Sequence, residues 1–121
     1  MPGRKQKTGD WGEEVAVRYL LSKGFQILER NYRGEYGGEI DIIAREGNQV
    51  VFVEVKSGRT GAYGPPEERI TRRKQRQLYK IAGQYIQEHP ELKTDFRFDA
   101  VIVDGTRNRF EIRHYRNAFY L

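Results

Sequence analysis

Cysteine is absent from this 121-residue chain, which removes disulfides, thiolate metal sites and cysteine nucleophiles together. Long apolar runs are absent as well, and the opening MPGRKQKTGDWGEE passes from basic to acidic without an apolar segment. Neither a signal peptide nor a membrane span is therefore expected. Histidine is scarce: His89 and His114 stand far apart, without the spacing of a metal pair, and no chemistry is assigned to them. There is no internal repeat and no low-complexity tract. These absences leave the expectation of a soluble cytoplasmic protein, and at 14.2 kDa of one domain.

Basic residues are in excess. Lys and Arg number 22 against 17 Asp and Glu, a net charge of +5, which favours polyanionic partners without identifying one. Residues 1–8 read as a flexible basic arm ahead of a single domain over 9–121. Ala16, Val17, Leu20 and Leu21 recur at helical spacing between Asp10 and Lys23, with Gly24 placed as a C-terminal cap. Strands are expected over Phe25–Tyr32, Glu39–Arg45, Val50–Ser57, Phe96–Val103 and Arg109–Tyr115. SGRTGAYGPP reads as a loop, and Pro66 suits the first turn of a long helix that Pro90 stops. Its buried stripe is Lys74, Leu78, Ile81, Ala82, Tyr85 and Ile86. The order αβββαββ predicts an α/β fold with a mixed sheet flanked by helices.

One strand poses a question. VFVEVK (51–56) suits a buried position, yet Glu54 and Lys56 stand inside the apolar run, where charge is costly. Gly47 and Asn48 suit a two-residue primed turn, and such a turn fixes the register of the hairpin. Asp41 then faces Glu54 and Glu39 faces Lys56, with all four on one face beside Ile43 and Phe52. Ile40, Ile42, Val53 and Val55 take the other face. Two carboxylates directly opposed destabilise a sheet unless a cation lies between them. Oxygen ligands without Cys or nearby His point to Mg²⁺ or Mn²⁺, and an ammonium such as Lys56 beside that ion suits an attacking hydroxide and a charged transition state. The plainer alternative is a Glu39–Lys56 ion pair on a solvated face, with Asp41 and Glu54 merely exposed. Glu13 shares a helix face with Ala16, Val17 and Leu20, so it either points to the sheet or closes a capping box with Asp10.

GEIDIIA (38–44) and VFVEVK (51–56) together resemble the PD-(D/E)XK nuclease superfamily. The closer resemblance is to its YraN-like bacterial group, with archaeal Holliday-junction resolvases more distant. GDWGEEVAVRYLLSKGF, RFDAVIV and NAFYL extend the likeness along nearly the whole chain. The resemblance implies a restriction endonuclease-like αβββαβ core and phosphodiester hydrolysis in DNA with Mg²⁺ or Mn²⁺, on branched or repair intermediates. Carried over by position, Glu13 is the helix acid, Asp41 and Glu54 the motif acids, Lys56 the motif lysine, and Val55 the donor of a backbone carbonyl to the metal. The proline that names the superfamily is missing before Asp41, and Gln75 with Tyr79 has a RecB-like spacing of little specificity. The resemblance also admits a homodimer. The alternative is a non-catalytic nucleic-acid-binding module of the same fold that acts with a partner.

Arg69, Arg72, Arg73, Lys74, Arg76 and Lys80 are six basic residues in a dozen positions that hold no acid. A solvated helix face would interleave acids, so this face is expected to meet a phosphate backbone, with Arg69, Arg73, Arg76 and Lys80 in one stripe. Lys74 either reaches the acids or snorkels at the helix end. Tyr36 and Tyr63 lie in glycine-rich loops, where they are either stacking platforms for unpaired bases or partly buried fillers. Asp99 either supports the site or pairs with Arg97 or Arg113.

Overall fold

A computed structural model describes residues 10–59, 66–92 and 94–119; the proposed arm and Tyr63 lie outside them. The elements are α1 (Asp10–Ser22), β1 (Gln26–Arg33), β2 (Glu39–Glu46), β3 (Gln49–Gly58), α2 (Arg72–Glu88), β4 (Asp95–Thr106) and β5 (Arg109–Tyr115). The strands form one sheet in the order β1-β2-β3-β4-β5, with β3 and β4 parallel and every other pair antiparallel. The parallel pair needs a crossover, which α2 supplies. This is the mixed αβββαβ arrangement expected of a restriction endonuclease-like core, extended by β5. No helix among the described residues is long and apolar enough to cross a membrane.

Each helix covers one face of the sheet. Ile43, Phe52 and Phe98 pack against Leu78, Ile81 and Tyr85 of α2, whereas Ile42, Val51, Val53 and Val101 pack against Ala16 and Leu20 of α1. A strand buried on both faces has no polar alternation to keep, which is why β3 reads as an unbroken apolar run up to Glu54. The β2–β3 register is the one derived from the turn, with Ile42 opposite Val53 and Ile43 opposite Phe52. Gly47 has φ +57 and Asn48 lies outside the left-handed region, the signature of a type II′ turn.

Two expectations are corrected. The helix expected from Pro66 is broken: Pro66–Arg69 is a separate 3-10 turn, and α2 begins after Thr71, whose side chain accepts a hydrogen bond from the Lys74 N–H. Thr71 serves as an N-cap, a role in which a Thr hydroxyl satisfies a helix-end donor better than it serves mid-helix. Arg69 is therefore off the helix, its guanidinium donating to the Ser57 carbonyl at 3.4 Å. In addition, Ile40 joins the α2-side core and not the face of Ile42. β1 carries Asn31 at φ +53 opposite this point, and the start of β2 is rotated relative to the rest of the strand.

The first turn of α1 lies directly on β3. A Cβ on Gly12 would fall 2.5 Å from the Ser57 Cβ, so only glycine allows this approach. Gly12→Ala is expected to destabilise the fold by about 1–3 kcal/mol despite its better helix propensity, and Ser57→Gly in the same chain is expected to restore most of the loss. Urea unfolding of the two single variants and the double variant measures the coupling.

Candidate active site

The β2–β3 ladder ends at Ile42 and Val53. One step further, where the next interstrand bond would form, the Asp41 carboxylate takes the place of the β2 backbone and accepts from the Val55 N–H at 2.8 Å. The strands part here. A strand residue presents N–H and C=O to the same side, so the Val55 carbonyl also faces the opening.

The rotation at Ile40 sends Glu39 toward α1. Oxygens of Glu13, Glu39 and Asp41 consequently lie within 4.8 Å of one another. Glu13 does reach the sheet, where Asn31 donates to it at 3.0 Å and Arg30 lies 3.6 Å away. The left-handed conformation of Asn31 and its hydrogen bond to Glu13 both fall at the rotated start of β2. Glu39 was expected opposite Lys56; the structure puts it instead in the acidic cluster, a placement that strict strand alternation could not give.

Glu54 stands on the α2 side of the opening and is 4% exposed. Two ammonium groups flank its Oε2, Lys56 at 3.7 Å and Lys74 at 4.0 Å. Lys74 thus reaches the acids and does not snorkel away. Oε1 of Glu54 is buried with no hydrogen-bond partner, an uncommon state for a carboxylate oxygen and one that invites a cation. Burial pushes the Glu54 pKa up to about 8, and the Asp41 charge pushes in the same direction against the two lysines. Burial also raises Asp41, against the opposing effects of the Val55 N–H and a hydrogen bond with Glu54. Glu54 therefore keeps a proton near neutrality, and its second oxygen is free to take a metal only when that proton leaves.

The remaining candidates divide cleanly. Arg73, Arg76 and Lys80 line a cleft between α2 and the β1–β2 turn, Arg72 is exposed, and none of the four makes an ion pair among the described residues. Arg97 of β4, Arg113 of β5 and Arg116 beyond it are neutralised: Arg97 by Glu46 and Asp99, Arg113 by Glu67, Asp104 and Glu111, and Arg116 by Glu46. Asp99 belongs to that second group. Burial favours its neutral form, but hydrogen bonds from His114, Arg97 and the Asn117 N–H prevail and hold it below its ordinary range. It pairs with Arg97, not Arg113, and lies on the α1 face away from Glu54. His114 bridges Asp99 (2.8 Å) and the Tyr19 hydroxyl (2.9 Å), tying α1 to the sheet. Gln75 donates to the Ile70 carbonyl and Tyr79 stacks on Phe98.

Residues 12–103 match the sequence profile of the uncharacterised protein family UPF0102. The chain is 46% identical to a UPF0102 protein of Sulfurihydrogenibium sp. (strain YO3AOP1), over 97% of each chain. It is 44% identical to one from Geobacter metallireducens, over 93% of this chain and 92% of the relative. A Clostridioides difficile relative is also 44% identical, over 94% and 97%. The chain belongs to the UPF0102 family.

A carboxyl whose pKa is raised by folding from 4.5 to about 8 contributes stability below the lower value and loses it progressively up to the higher one. Metal-free protein is therefore expected to lose stability between about pH 5 and pH 8. Glu54→Gln, which removes the charge and keeps the shape, is expected to match the parent at pH 5 and exceed it by roughly 2–4 kcal/mol at pH 8.5. Chemical denaturation in EDTA across this range gives the comparison, and a constant difference at all pH values would contradict it.

Proposed function

We propose that this protein is a divalent-metal-dependent phosphodiesterase of the PD-(D/E)XK type that acts on DNA in the cytoplasm, on branched or repair intermediates. The observation that carries the reading is the cluster at the strand opening. Three carboxylates lie within 4.8 Å of one another and a fourth has an unpartnered buried oxygen, beside two ammoniums and a basic helix without acidic neutralisation. The donor set fits Mg²⁺ or Mn²⁺: all oxygen, and from several elements. Glu13, Asp41 and Glu54, with the Val55 carbonyl, would hold the ion, and Glu39 is placed to assist.

Bound there, a divalent ion supplies Lewis acidity toward a phosphoryl oxygen and activates water near neutral pH. The residues supply the rest. Lys56 holds the attacking group in line and offsets charge that grows on the phosphoryl oxygens. Lys74 adds a second positive charge at the same carboxylate. Arg73 and Arg76 seat the backbone without reading sequence, so structure and not base order should select the substrate.

A panel of duplex, single-stranded, flap and four-way DNA with Mg²⁺ or Mn²⁺ tests this. Glu54→Ala is expected to abolish cleavage, and Lys56→Ala to lower it by about 10²–10³-fold, with circular dichroism unchanged for both. Equal cleavage by the Glu54→Ala, Lys56→Ala double variant would reject the assignment. Salt-sensitive binding with no turnover on any substrate would instead favour a binding module that works with a partner.

A further inference from the structure

The cleft between α2 and the β1–β2 turn, which the acids do not line, is built for a different task. Its volume is about 1010 Å³, and one wall is the cationic edge of α2, Arg73, Arg76 and Lys80. The other wall is the turn Gly34–Gly37, which carries Tyr36. This turn is firmly tied. The Gly34 N–H donates to the Gly38 carbonyl at 2.9 Å, and the Glu35 N–H donates to Gln84 of α2 at 2.7 Å. At Gly38, φ is +77 and a Cβ would fall 2.6 Å from the Gln77 side chain, so glycine lets the turn press against the helix. Tyr36 nevertheless remains 95% exposed. A large aromatic ring held out to water on an anchored turn adds nothing to the core, and the filler reading of this residue does not hold.

We infer that this cleft grips an unpaired nucleic-acid strand, with phosphates along Arg73, Arg76 and Lys80 and a base stacked on Tyr36. The occupant must carry regular negative charge and present flat faces. A single strand does both. A duplex offers the same charge but keeps its bases stacked inside, and an acidic peptide has no repeated aromatic face. From Arg73 to Lys80 the helix rises about 10 Å, so the three cations follow one another along the cleft wall. The turn runs straight into Glu39 and Asp41, while Lys74, adjacent to Arg73, touches Glu54. A strand seated in the cleft thus leads into the acidic cluster at its Arg73 end. That last step rests on the phosphodiesterase reading; the grip does not.

The test is fluorescence anisotropy with the full chain in EDTA, so that no turnover occurs. An oligothymidylate of about 12 nucleotides is compared with a blunt duplex of equal length. Tyr36→Ala is expected to weaken single-strand binding about tenfold, Tyr36→Phe to keep it, and neither to change duplex binding. Arg73→Glu with Arg76→Glu is expected to weaken both. Because Tyr36 is so exposed, its variants should melt as the parent does. Unchanged single-strand affinity in Tyr36→Ala, an equal loss on duplex, or displacement by polyglutamate as efficient as by DNA would each overturn the inference. Glu54→Ala separates the two readings. If it binds the strand with the Tyr36 pattern while the parent cleaves nothing, the grip stands and the nuclease reading falls. Glu54-dependent cleavage with no effect of Tyr36 gives the reverse.

Discussion

The candidate site depends on an interstrand bond made by the wrong partner. Where β2 would continue its ladder with β3, the Asp41 side chain accepts from the Val55 N–H, and the two strands separate around it. A buried N–H left without an acceptor would cost about 1–3 kcal/mol, so the side chain makes the opening tolerable as well as lining it. The opening then admits groups from both layers. Glu13 and Glu39 approach from the α1 side and Glu54 from the α2 side, with Asp41 between them. No single face of a continuous sheet could assemble this set.

Charge is partitioned in the same way. Arg97, Arg113 and Arg116 are consumed by carboxylates around β4 and β5, and those contacts hold Glu46 and Glu67 at pKa values of about 2. Their role is structural, and their positive charge is cancelled locally. Arg73, Arg76 and Lys80 have no such partners among the described residues, so one edge of α2 presents three positive charges that no carboxylate there offsets. The acids of the opening have the opposite problem, negative charge gathered in little water, where Arg30 lies near Glu13 and two lysines flank Glu54. An arrangement that is poorly neutralised at both places, a few residues apart, is unfavourable for folding alone. A divalent cation and a polyanion relieve both at once.

Much of this was legible in the sequence, for specific reasons. Strand pairing has a period of two, so identifying Gly47–Asn48 as the turn fixed every pair from Glu46–Gln49 to Ile42–Val53 and placed Asp41 beside Glu54. Glu13 followed from helical spacing on a face shared with Ala16 and Leu20. What period arithmetic could not supply was its own failure. Asn31 in the left-handed region and the end of the ladder rotate Ile40 and Glu39, so Glu39 moves from Lys56 to Glu13. Asn31, of a residue type that tolerates the left-handed region, was the available signal in β1. The break before α2 was hidden because Pro66 suits a helix start and the following residues are good helix formers. Thr71, three residues before the N–H it caps, marked the true boundary. Lys74 depended on a tertiary distance that no local pattern encodes.

The β1–β2 turn joins these observations mechanically. It is fixed to α2 through Gln84 and the close approach at Gly38, and its last residue is followed directly by Glu39 and, two further on, Asp41. Displacing the turn would therefore displace two acids of the cluster together with Tyr36. The cleft and the cluster are two ends of one short rigid segment braced against one helix, and that helix also sends Lys74 to Glu54. A ligand seated against the turn therefore bears on a segment whose next residues are acids of the cluster, without a long-range relay.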